Sequence, residues 1–67
     1  MFTSREKEVI DLLMIGKTNM EIAKYLCITS HTVKAHIGHI YSKLDVHSRI
    51  EMAVKLLKEE MSNLKDK

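Results

Sequence analysis

The sequence contains no proline and no tryptophan, two glycines, one cysteine and three aromatic residues, Phe2, Tyr25 and Tyr41. The lone cysteine, Cys27, excludes an internal disulfide framework and a Cys-cluster zinc site. No apolar run approaches the roughly 20 residues that span a bilayer. Met1-Phe2-Thr3-Ser4-Arg5 leads straight into a charged segment, so no signal-peptide pattern is visible. An unpaired cysteine also fits a reducing compartment, and the cytosol is the expected location. Charge of one sign is scarce as well. The formal net charge is +2, which alone does not point to nucleic acid. What is abundant is Leu, Ile, Met, Lys and Glu, a composition that favours helices over strands. With 45% apolar and 30% charged residues the chain reads as globular rather than disordered. At 67 residues it has room for one modest core, but not for a second domain, a large cleft or a cofactor fold. A domain this small without staples relies on well-packed helices, an oligomer, or both.

The charge is unevenly placed. Residues 1–16 carry −1, residues 17–49 carry +3, and residues 50–67 carry 0. The central block holds Lys17, Lys24, Lys34, Lys43 and Arg49 against Glu21 and Asp45, together with all four histidines. A balanced, solvated surface is the plain alternative for such a pattern.

Hydrophobic periodicity predicts four helices, at about residues 4–15, 19–26, 30–44 and 48–60. Thr3 or Ser4 can cap the first, which carries Val9, Ile10, Leu12 and Leu13. Gly16 follows, where a left-handed residue ends a helix. Thr18-Asn19-Met20-Glu21 fits a capping box for the second, whose apolar face is Ile22, Ala23 and Leu26. Ser30 is the expected cap of the third helix, with Thr29 as second choice. Val33, Ile37, Ile40 and Leu44 then form one inward stripe, and His31, Lys34, Ala35, Gly38 and Ser42 face outward. Ser48-Arg49-Ile50-Glu51 reads as another capping box. In the fourth helix Ile50, Ala53, Val54, Leu57, Met61 and Leu64 make the expected inner stripe. Met52 and Leu56 fall off it, and fraying is predicted beyond about Glu60.

A short helix, a tight turn and a longer helix with a polar outer face make a helix-turn-helix pattern. In DNA readers the second helix of such a pair enters the major groove. Small residues between donors on that face permit close approach to base edges. Hydroxyls and amides at Thr29, Ser30 and Thr32 lie near a helix N-terminus, which attracts phosphate.

These segments resemble the LuxR/GerE-type DNA-binding domain, the four-helix output domain of bacterial transcriptional regulators. The resemblance runs from Thr3 to about Leu57. It rests on Thr3-Ser4-Arg5-Glu6 with Glu8-Val9-Ile10, on Gly16 to Ala23, and on Leu26-Cys27-Ile28-Thr29-Ser30 with Thr32-Val33-Lys34 and His36. Ile40, Lys43-Leu44, Val46, Arg49 and Ala53-Val54 complete it. The resemblance implies an all-α, four-helix domain over residues 1–67, with the helix-turn-helix at about 20–39 and a recognition helix at about 30–44. It implies base contacts from Lys34, Ala35 and Gly38, with His31 and His39 at the margins. Phosphate contacts are implied for Thr29, Ser30, Thr32 and Lys43, and more weakly for Lys17, Asn19 and Lys24. The implied partners are double-stranded DNA at the nucleoid, a second copy paired through helix four, and RNA polymerase. Met52 and Leu56 are the candidate dimer contacts. Two departures stand out. Gly38 occupies a position where a longer side chain can read a base, and mid-helix glycine costs roughly 1 kcal/mol relative to alanine. Few direct hydrogen bonds to bases are therefore expected, and more reliance on phosphates, water and DNA shape. Asp45 stands where the family often has glycine, and aspartate tolerates the left-handed conformation better than most residues.

Other chemistries find less support. His31, His36 and His39 lack the further ligands of a structural zinc site, so no metal and no cofactor are expected. Cys27 shows no partner thiol for a redox switch. No nucleophile has an orienting base, no glycine-rich phosphate loop exists, and no pocket is expected to enclose a small molecule, so an enzyme is not predicted. The rival reading is a protein-interaction module on the same helices, with incidental DNA affinity and a functional apolar face on helix four. A membrane-surface role for that helix is disfavoured by its balanced charge and lack of Trp or Phe.

Overall fold

Three threonines and a serine open the four helices of the chain, seen in a computed structural model that describes the backbone of residues 2–65 and the side chains of residues 2–59. The helices are α1 (Ser4–Met14), α2 (Asn19–Leu26), α3 (Ser30–Leu44) and α4 (Arg49–Lys65). Among the described residues there is no strand, and no helix is long and apolar enough to cross a membrane. Thr3 caps α1: its hydroxyl accepts the Glu6 N–H at 3.0 Å, and the Glu6 carboxylate accepts the Thr3 N–H at 2.9 Å. The same reciprocal box joins Thr18 and Glu21 at the start of α2. In both, two otherwise unmatched amides of the first turn are satisfied by one side-chain pair.

The start of α3 corrects the expected cap. Thr29, not Ser30, is the N-cap, accepting the Thr32 N–H at 3.1 Å. Thr32 stands where a capping box would have glutamate, and its hydroxyl instead meets that of Thr29 at 2.9 Å. This pairing is open to Thr29 and not to Ser30, because the residue three beyond Ser30 is the apolar Val33. At α4 the expected box forms in half. Ser48 Oγ accepts the Glu51 N–H, but the Glu51 carboxylate reaches one residue further back and accepts the His47 N–H at 2.6 Å. Beyond Glu60, where fraying was predicted, the backbone stays helical to Lys65.

Three helices end in one motif. After α1, α2 and α3 the chain turns through a left-handed residue: Gly16 (φ 92°), Cys27 (φ 58°) and Asp45 (φ 56°). In each case the next residue donates its N–H five positions back. The bonds are Lys17 to Leu12 O, Ile28 to Ala23 O and Val46 to Tyr41 O, each 3.0 Å. These are Schellman turns, which satisfy the last carbonyls and reverse the chain within a few residues. Gly16 and Asp45 were legible as such. Cys27 was not, because its side chain gives no hint of that conformation.

The core consists of Val9, Ile10 and Leu13 of α1, Ile22, Ala23 and Leu26 of α2, Val33, Ile40 and Leu44 of α3, then Val46 and Met52. The predicted stripes of the first three helices are therefore the buried ones, with Leu12 and Ile37 partly buried against the core. The stripe assigned to α4 is not. Met52 is fully buried at 0% exposure and Leu56 packs against the core, whereas Ile50 is 77% and Leu57 51% exposed. Val54 is exposed too, and Ala53 is intermediate. The predicted inner positions Met61 and Leu64 lie outside the described side chains. Polar anchors hold the observed rotation. Arg49 donates through Nε to the Leu13 carbonyl at 3.2 Å, and also through its terminal nitrogen, at the C-terminal end of α1. Lys55 donates to the Leu44 carbonyl at the end of α3. Cations at helix C-termini are favoured by the helix dipole as well as by the hydrogen bond.

Candidate nucleic-acid interface

The buried stripe of α3 fixes which residues it turns outward. With Val33, Ile40 and Leu44 in the core, the 100° step of the helix leaves His31, Lys34, Ala35, Gly38, His39 and Ser42 at the surface, and all six are exposed. Lys34 makes no ion pair among the described residues, so its ammonium projects into solvent. His36 is intermediate in exposure.

The N-terminal end of α3 adds a second element. Capping occupies the Thr32 amide and the hydroxyls of Thr29 and Thr32. The amides of Ser30 and His31, in the first turn, make no hydrogen bond among the described residues, and the Ser30 side chain is exposed. An unmatched pair of amides at the positive end of a 15-residue helix suits an oxyanion. The turn that delivers them is set by Cys27 and Ile28, whose N–H groups bond back to the last carbonyls of α2. Lys17 and Lys24 are exposed at the two ends of α2, and Asn19 is half-buried.

Lys43, expected at a phosphate, has a partner within the fold. Its Nζ lies 2.7 Å from the Glu6 carboxylate and 5.6 Å from the centroid of the Phe2 ring. Its first partner is thus the protein itself, and the pair ties the last turn of α3 to the first turn of α1. Glu6 is only 5% exposed. The Lys43 ammonium and the Thr3 amide both stabilise its charged form, and they hold its carboxyl below the ordinary glutamate range despite opposing desolvation. Sequence reading overlooked Glu6. The spacing Thr3-x-x-Glu6 was the available signal, since a capping glutamate in a first turn can also receive a cation from a neighbouring helix. Arg49 was counted only as a family match, and no local pattern could reveal its bond to Leu13.

Among the described residues two apolar areas reach the surface: Ile50, Val54 and Leu57 on α4, and a groove lined by Ile15 and Tyr25, with Met14 and Met20 exposed apart from them. The expected dimer contacts Met52 and Leu56 belong to neither, because both face the core. Among the described residues no three metal-ligating side chains come together. The surface depressions are shallow grooves along the helices, one of them bounded by Met20, Lys24, Ile28 and Ser30.

Comparison with known proteins gives one consistent result. The family profile described as GerE: Bacterial regulatory proteins, luxR family, matches residues 1–56. Over 58 residues the chain is 43% identical to the spore germination protein GerE of Bacillus subtilis (strain 168), covering 87% of this chain and 78% of that protein. It is 54% identical over 52 residues to the transcriptional regulatory protein LiaR of the same organism, covering 78% of this chain and 25% of LiaR. With the uncharacterized response regulatory protein YgeK of Escherichia coli (strain K12) it shares 50% identity over 50 residues, covering 75% of this chain and 34% of YgeK. The chain thus spans about a quarter of LiaR and a third of YgeK, but most of GerE.

Proposed function

The chain belongs to the luxR family of bacterial regulatory proteins, and we propose that it acts in transcription regulation by docking α3 in the major groove of double-stranded DNA. The family is one of regulators rather than enzymes. The observation that carries the reading is the outer face of α3, where exposed Lys34 stands beside Ala35 and Gly38 with no ion-pair partner among the described residues. In this reading Lys34 reaches a base edge or the adjacent phosphate, Ala35 and Gly38 give van der Waals contact, and His31 and His39 flank them. One phosphate is met by the Ser30 and His31 amides and the Ser30 hydroxyl, with the paired Thr29 and Thr32 hydroxyls beside them, and Lys17, Asn19 and Lys24 lie toward the backbone on the α2 side. Lys43 is a secondary phosphate contact, since Glu6 already takes its charge.

A second copy is proposed to pair through Ile50, Val54 and Leu57 in place of Met52 and Leu56. Exposed apolar residues at steps of four and three form a narrow seam of the kind that packs two helices together. Isologous pairing would present two recognition helices to a two-half-site operator. RNA polymerase would need a surface outside both α3 and that seam, and the groove lined by Ile15 and Tyr25 offers one.

The test is an amide NMR titration of the labelled chain with a duplex selected from a randomised pool, at low and moderate salt. Shifts concentrated in residues 28–43, fading as salt rises, are the expected result. Lys34→Ala should weaken binding to the selected duplex by about 1–3 kcal/mol. Shifts confined to α4, or an affinity that Lys34→Ala leaves unchanged, would overturn the groove assignment.

A further inference from the structure

The two glycines of the chain differ in what requires them. Gly16 has φ +92°, a conformation that side chains disfavour, and its role in ending α1 is explained within the fold. Gly38 lies in the interior of α3 without a positive φ, and a Cβ built there meets nothing within 4 Å. Glycine in a helix interior loses more chain entropy on folding than alanine and leaves backbone exposed. A methyl group at this position would displace no neighbour. The fold therefore supplies no reason for glycine at position 38, and it bears the destabilisation without an internal return.

The surroundings indicate an external reason. Gly38 is exposed one turn beyond Lys34, with Ser42 one turn further along the same face. A shallow depression bounded by Gly38, Tyr41, Ser42 and His47 continues from it. The backbone amide and carbonyl groups of a helix interior are bonded to each other, so bare helix offers a partner shape rather than hydrogen bonds. We propose that Gly38 is the point where the α3 backbone comes nearest the DNA, and that its missing side chain admits a base edge or thymine methyl that any side chain would push away. This deepens the reading of α3 as the groove-docking helix and rests on it. Recognition at this step is steric, set by closeness of approach, while Lys34 supplies the charge.

The experiment compares Gly38→Ala, Lys34→Ala and the unaltered chain on one duplex, selected by the unaltered chain from a randomised pool. Each is measured for thermal melting without DNA and for affinity across a salt series. Gly38→Ala should melt higher by about 4 °C or more. It should also bind more weakly, on the order of tenfold, as expected of an overpacked contact. Its salt slope should not change, whereas Lys34→Ala should lower its own slope by about one. A stabilised Gly38→Ala that binds as tightly as the unaltered chain overturns the proposal. So does a variant that loses stability, because the reason for glycine would then be internal. If neither substitution changes affinity, the groove reading itself fails, and the proposal with it.

Discussion

Cys27 closes α2 in left-handed backbone, at φ 58° and ψ 42°, with an exposed side chain. A β-carbon in that conformation crowds the following carbonyl, which glycine avoids. Cys27→Gly is therefore expected to stabilise the chain by about 0.5–1 kcal/mol. Cys27→Ala should bring no such gain, because alanine keeps the β-carbon. Paired urea denaturation curves would check this, and equal stabilities for the two variants would refute the strain argument. Glu6 supplies a second expectation. Its folded-state pKa lies below the ordinary value, so on acidification the unfolded chain takes up the proton first. The stabilisation is fully present above the ordinary glutamate range and disappears as pH falls through the lower folded value. Glu21 is shifted the same way by the Thr18 amide. Stability should fall on acidification below about pH 4, and Glu6→Gln should be less stable near neutrality but less acid-sensitive. Denaturation midpoints measured across that pH range decide it: an unchanged pH profile in Glu6→Gln would remove Glu6 from the account.

At the scale of an element, α4 shows why periodicity is insufficient for a helix with apolar residues on two faces. Ile50, Val54 and Leu57 form the more regular stripe, yet Met52 and Leu56 are the ones packed inward. The body of the domain makes the choice. Arg49 bonds to the end of α1 and Lys55 to the end of α3. Those anchors leave one rotation in which the face bearing Arg49, Met52 and Leu56 meets the core. Met52→Ala should cost about 2–5 kcal/mol, as for other buried large-to-small changes. Ile50→Ala should stay within about 0.5 kcal/mol in the monomer. Chemical denaturation at low protein concentration separates the two, and a reversed order would mean that α4 is turned the other way.

For the whole molecule, the Schellman turns at Cys27 and Asp45 and the Glu6–Lys43 tie fix α3 against the other helices, with His31, Lys34, Ala35, Gly38, His39 and Ser42 left exposed. Opposite demands then fall on different surfaces. In the proposed reading α3 meets a polyanion, and the α4 seam meets a copy of itself. Leu57→Glu, with its exposed site, should leave the fold and binding to a single half-site intact. It should abolish two-to-one assembly on a duplex with two half-sites, as read by sedimentation of the complex. Persistent two-to-one assembly would move the dimer contact elsewhere.

Four helices, their order, three of their caps or turns and the inward stripes of α1, α2 and α3 follow from the sequence, because capping boxes and single-faced apolar periodicity are local physics. The outward set on α3 follows as the complement of one unambiguous stripe. Tertiary structure alone decided that Thr29 rather than Ser30 caps α3, that Cys27 takes the left-handed turn, that Lys43 meets Glu6, and which face of α4 is buried. Each of these depends on a partner distant in the chain, or on a choice between two locally acceptable options, and only packing the helices against one another resolves it.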